Sequence, residues 1–322
     1  MMNKKRPKAS LVLCVGLALV GSPGCSDRES NQLVGVGSAT PALAIQEWEK
    51  SMASQGISLS YRSNGEKAGA KEFLEGSADF LLTTIRSPEV NTTFTREQQG
   101  IVSLPILRAD IALVHTQRGC DMVLSKEEVS SIFKGTITNF SSFGCTEKPI
   151  TVLTREEESG TRQTLYQYLG LTSLDSIQEL GNKATTIVAP NMENVINAVP
   201  GGIGYIPGPL ISFDNVFSIR IRGDKGTIYK PVLAGQKSNI EGGGEAMSGD
   251  NTLETPYTYP IKSTIFLVVK KNDNKKKMVA LQRFARFTVS KTAQANAESL
   301  GYIKLTTSQE NLAEQKIKTF MD

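Results

Sequence analysis

From residue 33 onward, short apolar runs alternate with amphipathic stretches of helical spacing. Residues 33–37 (LVGVG) read as a strand that ends in a Gly-Ser-Ala-Thr-Pro turn. Leu43, Ile45, Trp48 and Met52 then recur at helical spacing, which predicts a helix over 42–53. Alternation predicts a strand over 57–61, followed by a short helix over 68–74 and a strand over 79–83. The apolar run 111–114, flanked by turn residues, predicts a buried strand. Ser125 with Glu128 three residues on is a capping box, opening a helix over 125–133. Strands are expected at 150–153, 203–206 and 265–269, and helices at 161–169, at 278–289 and from Asn311 onward. Strand–helix alternation of this kind predicts an α/β protein with parallel pairing. The stretch 235–255, with three glycines at 242–244, predicts a surface loop. Lys275, Lys276 and Lys277 are expected on a solvated helix face.

The N-terminus follows a different rule. Residues 1–10 are basic, 11–21 are apolar, and Ser22-Pro23-Gly24-Cys25 follows. This is the pattern of a secretory signal. Its apolar run is about half of the ~20 residues that a spanning helix needs. Cys25 after a small residue resembles the lipobox of bacterial lipoproteins, although Ser22 stands where Leu is usual. The expectation is a signal over 1–24 and a tether over 25–32 lipidated at Cys25; ordinary cleavage nearby, leaving a free protein, is the alternative. Either way the mature chain works outside the cytoplasm, on the periplasmic or cell-surface face of a bacterial membrane.

Charge and cysteine count follow from that division. The 36 Lys+Arg exceed the 32 Asp+Glu by four, and Lys4, Lys5, Arg6 and Lys8 all lie in the signal. The remainder is formally neutral, which argues against a nucleic-acid binder driven by bulk charge. A chain of 322 residues suits two domains or one large α/β domain. One histidine, His115, leaves little material for a His-rich metal site or a Ser-His-Asp triad, and it reads as a packing or hinge residue. Cys120 and Cys145 lie beside glycines in a chain bound for an oxidising compartment. They form either a disulfide, constraining the unfolded chain by roughly 3–4 kcal/mol, or two buried thiols.

Candidate chemistry centres on residues 154–165 (TREEESGTRQTL), between a predicted strand and a predicted helix. Ser159 and Thr161 suit an N-cap, and Gly160 removes side-chain bulk. The first turn of a helix carries unpaired N–H donors and partial positive charge, a seat for an oxyanion. Arg155 can return over the same spot with two parallel donors. By itself such a triplet is most often a simple cap. Two further turns, at 37–41 (GSATP) and 63–67 (SNGEK), also join strand to helix. Three such turns can converge at the carboxyl edge of a sheet, where open α/β sheets bind ligands.

Taken in order, these motifs resemble those of the Pst-type phosphate-binding lipoproteins of bacterial ABC importers, over essentially the whole mature chain. The matching segments are VGVGSAT at 34–40, YRSNGEKAGAKEFLEGSADF at 61–80 and VLSKEEVSSIFKGTITNF at 123–140. They continue with Arg155, Ser159, Gly160 and Thr161, with PGGIGYI at 200–206 and with SKTAQANAESLGYIKL at 290–305. The resemblance implies a type II periplasmic-binding-protein fold, two lobes with a ligand cleft at a hinge. Lobe 1 is expected at 33–114 and 262–322, and lobe 2 at 115–261. It implies a monomer that binds phosphate or a related oxyanion without a cofactor and delivers it to an ABC permease. The implied contacts are Thr40, Arg155, Ser159, Gly160 and Thr161. Two positions depart. The family's serine in the second turn falls at Glu66 or Lys67, and its aspartate at the ligand falls at Thr84, which weakens discrimination between phosphate and sulfate. Arg86 can add positive charge, and Glu66, if it points inward, can replace the missing acceptor. Glu156, Glu157 and Glu158 are expected to face solvent. An enzyme with Ser159 as nucleophile lacks a partner base. A non-transport lipoprotein, an anion sensor or envelope interaction module with an altered site, is the remaining alternative.

Overall fold

The structure is a computed structural model describing residues 31–85, 100–155, 159–171, 185–188, 192–212, 214–223, 226–236 and 259–321. The signal, Cys25, Arg86, Glu156 to Glu158 and most of the 235–255 loop lie outside the described residues.

In chain order the elements are β1 (Gln32–Gly37), α1 (Ala42–Ala53), β2 (Ser58–Arg62), α2 (Glu66–Leu74), β3 (Phe80–Thr83) and β4 (Ile101–His115). Then come β5 (Val123–Ser125), α3 (Lys126–Phe133), β6 (Thr151–Thr154), α4 (Gly160–Leu169), β7 (Thr185–Val188), α5 (Met192–Val195) and β8 (Gly202–Pro207). The chain ends with β9 (Phe217–Ser218), β10 (Arg220–Arg222), β11 (Ile228–Tyr229), β12 (Lys262–Lys270), α6 (Lys275–Thr288), α7 (Lys291–Ser299) and α8 (Thr307–Met321).

Local signals explain many of these elements. The apolar stripe of α1 buries Ala44, Ile45, Trp48 and Met52, and the Trp48 indole donates to Ala293 O at 3.2 Å, tying α1 to α7. The capping box of α3 is formed: Glu128 N donates to Ser125 Oγ at 3.2 Å, and Ser125 N to the Glu128 carboxylate at 2.7 Å. Asn274 caps α6 by accepting from the amides of Lys276 and Lys277. The basic run there divides. Lys275 and Lys276 are exposed, whereas Lys277 folds inward to pair with Asp79 at 2.7 Å.

Strand order in the main sheet is β2-β1-β3-β12-β4-β8-β6-β7, with β9 also on β4. The β1–β2, β1–β3, β6–β7 and β6–β8 pairs are parallel, as strand–helix alternation predicts. The centre is antiparallel: β12 runs against both β3 and β4, and β4 against β8. The reason is topological. β4 carries the chain from one core to the other and β12 carries it back, so side by side they must oppose.

β4 changes partner midway. Residues 101–110 pair with β12, and Ile111 to His115 pair with β8. The cores divide at the same place. One gathers buried residues between Leu33 and Ala109 and between Ile265 and Ile317; the other spans Ile111 to Ile261. This is the expected two-lobe α/β architecture. Within the second core, Cys120 and Cys145 form a disulfide with Cα atoms 5.4 Å apart. His115 is buried there between Phe140 and Phe217, and burial pushes its pKa down to about 4. It is a packing residue at the end of the crossing strand.

Candidate ligand-binding cleft

Three strand-to-helix turns meet where the two cores face each other. The first joins β1 to α1. Ser38 N donates to Leu82 O at 2.9 Å, and the hydroxyls of Tyr61 and Tyr302 donate to Ser38 O at 2.6 Å and Thr40 O at 2.7 Å. With its carbonyls held from behind, the turn positions the Ser38 and Thr40 hydroxyls, 3.3 Å apart. The second turn joins β2 to α2. Gly65 N donates to Gly37 O at 3.0 Å, and Gly37 N to the Asn64 side chain at 3.1 Å. A Cβ on Gly69 would stand 2.6 Å from Gly37 Cα. Only glycine permits α2 to lie this close to β1, and the approach carries Glu66, the first residue of α2, into the interior.

The third turn comes from the other core, between β6 and α4. Ser159 is the N-cap and its Oγ accepts from Arg162 N at 3.4 Å, so the helix opens one residue earlier than the predicted 161. Thr161 lies inside the first turn rather than at the cap.

These turns enclose a cleft of ≈ 690 Å³. Thr40 and Glu66 line one wall; Arg155, Ser159, Gly160 and Thr161 line the other. Lys67 also borders the cleft, as do Ser38, Asn64 and Leu210, which the sequence reading had not named as contacts. Thr84 stands behind the first wall. Its N–H and hydroxyl both donate to Glu66 Oε1, at 3.0 and 2.7 Å.

The charges are arranged unevenly. The N-termini of α1, α2 and α4 all open on the cleft, each bringing partial positive charge. The Arg155 guanidinium is buried and donates to Glu193 at 2.7 Å, while Arg155 N donates to Tyr205 Oη at 2.9 Å. Arg162 stacks over the Tyr166 ring at 4.7 Å behind it. Glu193 escaped sequence reading because α5 is a single turn with no amphipathic period. On the opposite wall Glu66 is buried. Desolvation pushes its pKa up, while hydrogen bonds from Thr83, Thr84 and Ser38 pull it back. Gly160 closes the space between the walls: a Cβ there would stand 2.1 Å from Thr84 Oγ1 and 2.9 Å from Glu66 Oε1.

Such a set of hydroxyls, helix-terminal amides and one guanidinium is suited to hold a small anion. His115, read as a packing or hinge residue, does not border the cleft, and Ser159 Oγ is engaged as a helix cap. No helix among the described residues is long and apolar enough to cross a membrane.

Residues 25–292 match the PBP superfamily domain. The chain is 26% identical over 217 residues to the phosphate-binding protein PstS of Bacillus subtilis (strain 168), spanning 64% of this chain and 68% of that one. Among solved structures it is similar to a phosphate binding protein from Stenotrophomonas maltophilia, with a TM-score of 0.65 and 19% identity over 88% of this chain and 93% of the other. It is also similar to an ABC-type phosphate transport receptor from Vibrio cholerae, with a TM-score of 0.57 and 20% identity over 85% and 100% of the two chains. The structural likeness establishes the two-lobe fold.

Proposed function

Because this chain belongs to the PBP superfamily, we propose that it is an extracytoplasmic receptor that binds inorganic phosphate in its cleft and delivers it to a membrane ABC permease. The observation that carries this reading is the meeting of Thr40, Arg155, Ser159, Gly160 and Thr161, from both cores, around one cleft with three helix N-termini. The similarity to the Bacillus subtilis phosphate-binding protein supports it.

The mechanism is closure. Lobe 1 (33–114 and 262–322) and lobe 2 (115–261) are joined by the crossing strands β4 and β12, where the partner exchange beyond Asp110 offers a hinge. Ligand held by donors from both walls favours the closed state by the contacts that only closure makes. Arg155, kept in place by Glu193, supplies the charge, and the hydroxyls and amides supply neutral donors. No bond is made or broken. The protein acts as a monomer without a cofactor, led out by the signal at 1–24 and held at the membrane by lipid on Cys25.

Calorimetric titration with phosphate tests the reading. One-to-one binding is expected from the wild type and none from Arg155→Ala, which removes the charged donor. Absence of heat from folded wild-type protein with phosphate, sulfate and molybdate would overturn it.

A further inference from the structure

We infer that Glu72, which does not line the cleft, sets the first ligand-binding turn through Asn64, so that these two are positioning residues of the lobe 1 wall. The inference rests on the oxyanion-binding reading above and adds to it what holds the donors of that wall in place. It starts at Gly37, where β1 gives way to the turn that carries Ser38 and Thr40. Gly37 has φ 128°, a region open chiefly to glycine, so its own backbone does little to fix the direction of the turn. Neighbours fix it instead. Gly37 O accepts from Gly65 N at 3.0 Å and Ser38 N donates to Leu82 O at 2.9 Å, both through backbone. The third hold is a side chain: Gly37 N donates to Asn64 Oδ1 at 3.1 Å.

Asn64 can do this in one orientation only. Its Nδ2 donates to Glu72 Oε1 at 2.8 Å, and Glu72 Oε2 pairs with Arg62 on the solvent side. A turned amide would set its NH₂ against the Gly37 N–H and its carbonyl against the Glu72 carboxylate, donor on donor and acceptor on acceptor. Glu72 therefore keeps the Asn64 oxygen aimed at Gly37. Helix spacing brings it there: Gly69 lets α2 lie against β1, and Glu72, three residues on, falls on the same helix face. Asn64 lines the cleft and Glu72 does not. The Glu72 charge acts on a bound anion directly only by repulsion. Its direct effect on binding and its effect through Asn64 thus have opposite signs, and an experiment can separate them.

The test is phosphate calorimetry with a thermal melt of the purified protein, on wild type, Glu72→Ala, Glu72→Gln, Asn64→Leu and the double variant Asn64→Leu with Glu72→Ala. Alanine is favoured within a helix, so Glu72→Ala is expected to fold. Loss of the charge alone would tighten phosphate binding. Loss of positioning weakens it, and Glu72→Ala is expected to raise Kd at least about fivefold, the scale of one hydrogen bond. Glu72→Gln keeps a carbonyl acceptor for Asn64 Nδ2 and is expected to recover most of that loss. Asn64→Leu is expected to weaken binding as well, and in that background Glu72→Ala should cost nothing further, because its route to the turn is gone. Unchanged or tighter phosphate binding by folded Glu72→Ala would overturn this inference while leaving the receptor reading intact. Equal weakening by Glu72→Gln and Glu72→Ala would overturn it in the same way, as would losses that simply add in the double variant. No phosphate binding by the wild type would remove both.

Discussion

Replacing Gly160 by alanine is expected to weaken ligand binding while leaving both lobes folded. The new Cβ would meet Thr84 Oγ1 at 2.1 Å, Glu66 Oε1 at 2.9 Å and Ile85 Cγ1 at 3.1 Å. All three atoms belong to the opposite wall. Comfortable contact begins near about 3.5 Å, so that wall must retreat by more than about 1 Å. Thr84 can yield by rotating its hydroxyl, but this breaks the 2.7 Å bond to Glu66. Otherwise the lobes part. Overpacking of this kind costs about 1–3 kcal/mol, which corresponds to roughly 5- to 150-fold in Kd. The effect on folding has the opposite sign. Gly160 begins α4 with helical backbone, where alanine is favoured by up to about 1 kcal/mol. Phosphate calorimetry and a thermal melt of the same variant separate the two effects: Kd should rise while Tm holds or increases slightly. Adding Thr84→Ala should restore part of the affinity, because the atom met first is gone. An unchanged Kd would show that the walls do not approach in the bound state. A Tm lower by several degrees would place the damage in the folded lobe rather than in closure.

Two further outcomes follow from groups outside the cleft. Breaking the Cys120–Cys145 disulfide by the double Ser variant should lower stability by roughly 3 kcal/mol, read by denaturant melts, with little change in Kd because the bridge lies away from the ligand walls. Asp110 and His115 should give opposing pH slopes. Burial pushes the Asp110 carboxyl up to about 7, so its contribution to stability falls as pH rises from about 4 to 7. Burial pushes His115 down to about 4, so its contribution rises over nearly the same window. Relative to wild type, Asp110→Asn should therefore gain stability between pH 4.5 and 6.5 and His115→Phe should lose it; parallel melting curves for all three proteins would refute the assignment.

Much of this protein was legible in its sequence wherever structure is set locally. The α1 stripe, the capping box of α3 and the turn at Ser159-Gly160-Thr161 each depend on residues within one or two helical turns; the first two appear as read, and the third differs only in that Ser159 alone is the cap, with Thr161 inside the first turn. The family motifs, which pair such turns in a known order, pointed to the cleft residues as well. The first half of β4 was not legible. Pro105, Arg108 and Asp110 break its apolar pattern. Pro105 is accommodated opposite a register shift at Ile265 and Phe266, while the Arg108 side chain donates to Lys304 O and Asp110 Oδ2 accepts from Val232 N, partners far along the chain. Chain direction at the sheet centre was hidden for the same reason: it is decided by which lobe each strand must reach.

At the cleft, the residue types were visible and their relations were not. That Glu66 turns inward, that Thr84 grips one of its oxygens from 18 residues away and that Glu193 holds Arg155 from 38 residues away are products of lobe packing. Backbone propensity and amphipathic spacing are properties of neighbours in sequence. The partner of a buried charge is selected by low dielectric and close packing, which compel the nearest available donor or acceptor whatever its place in the chain.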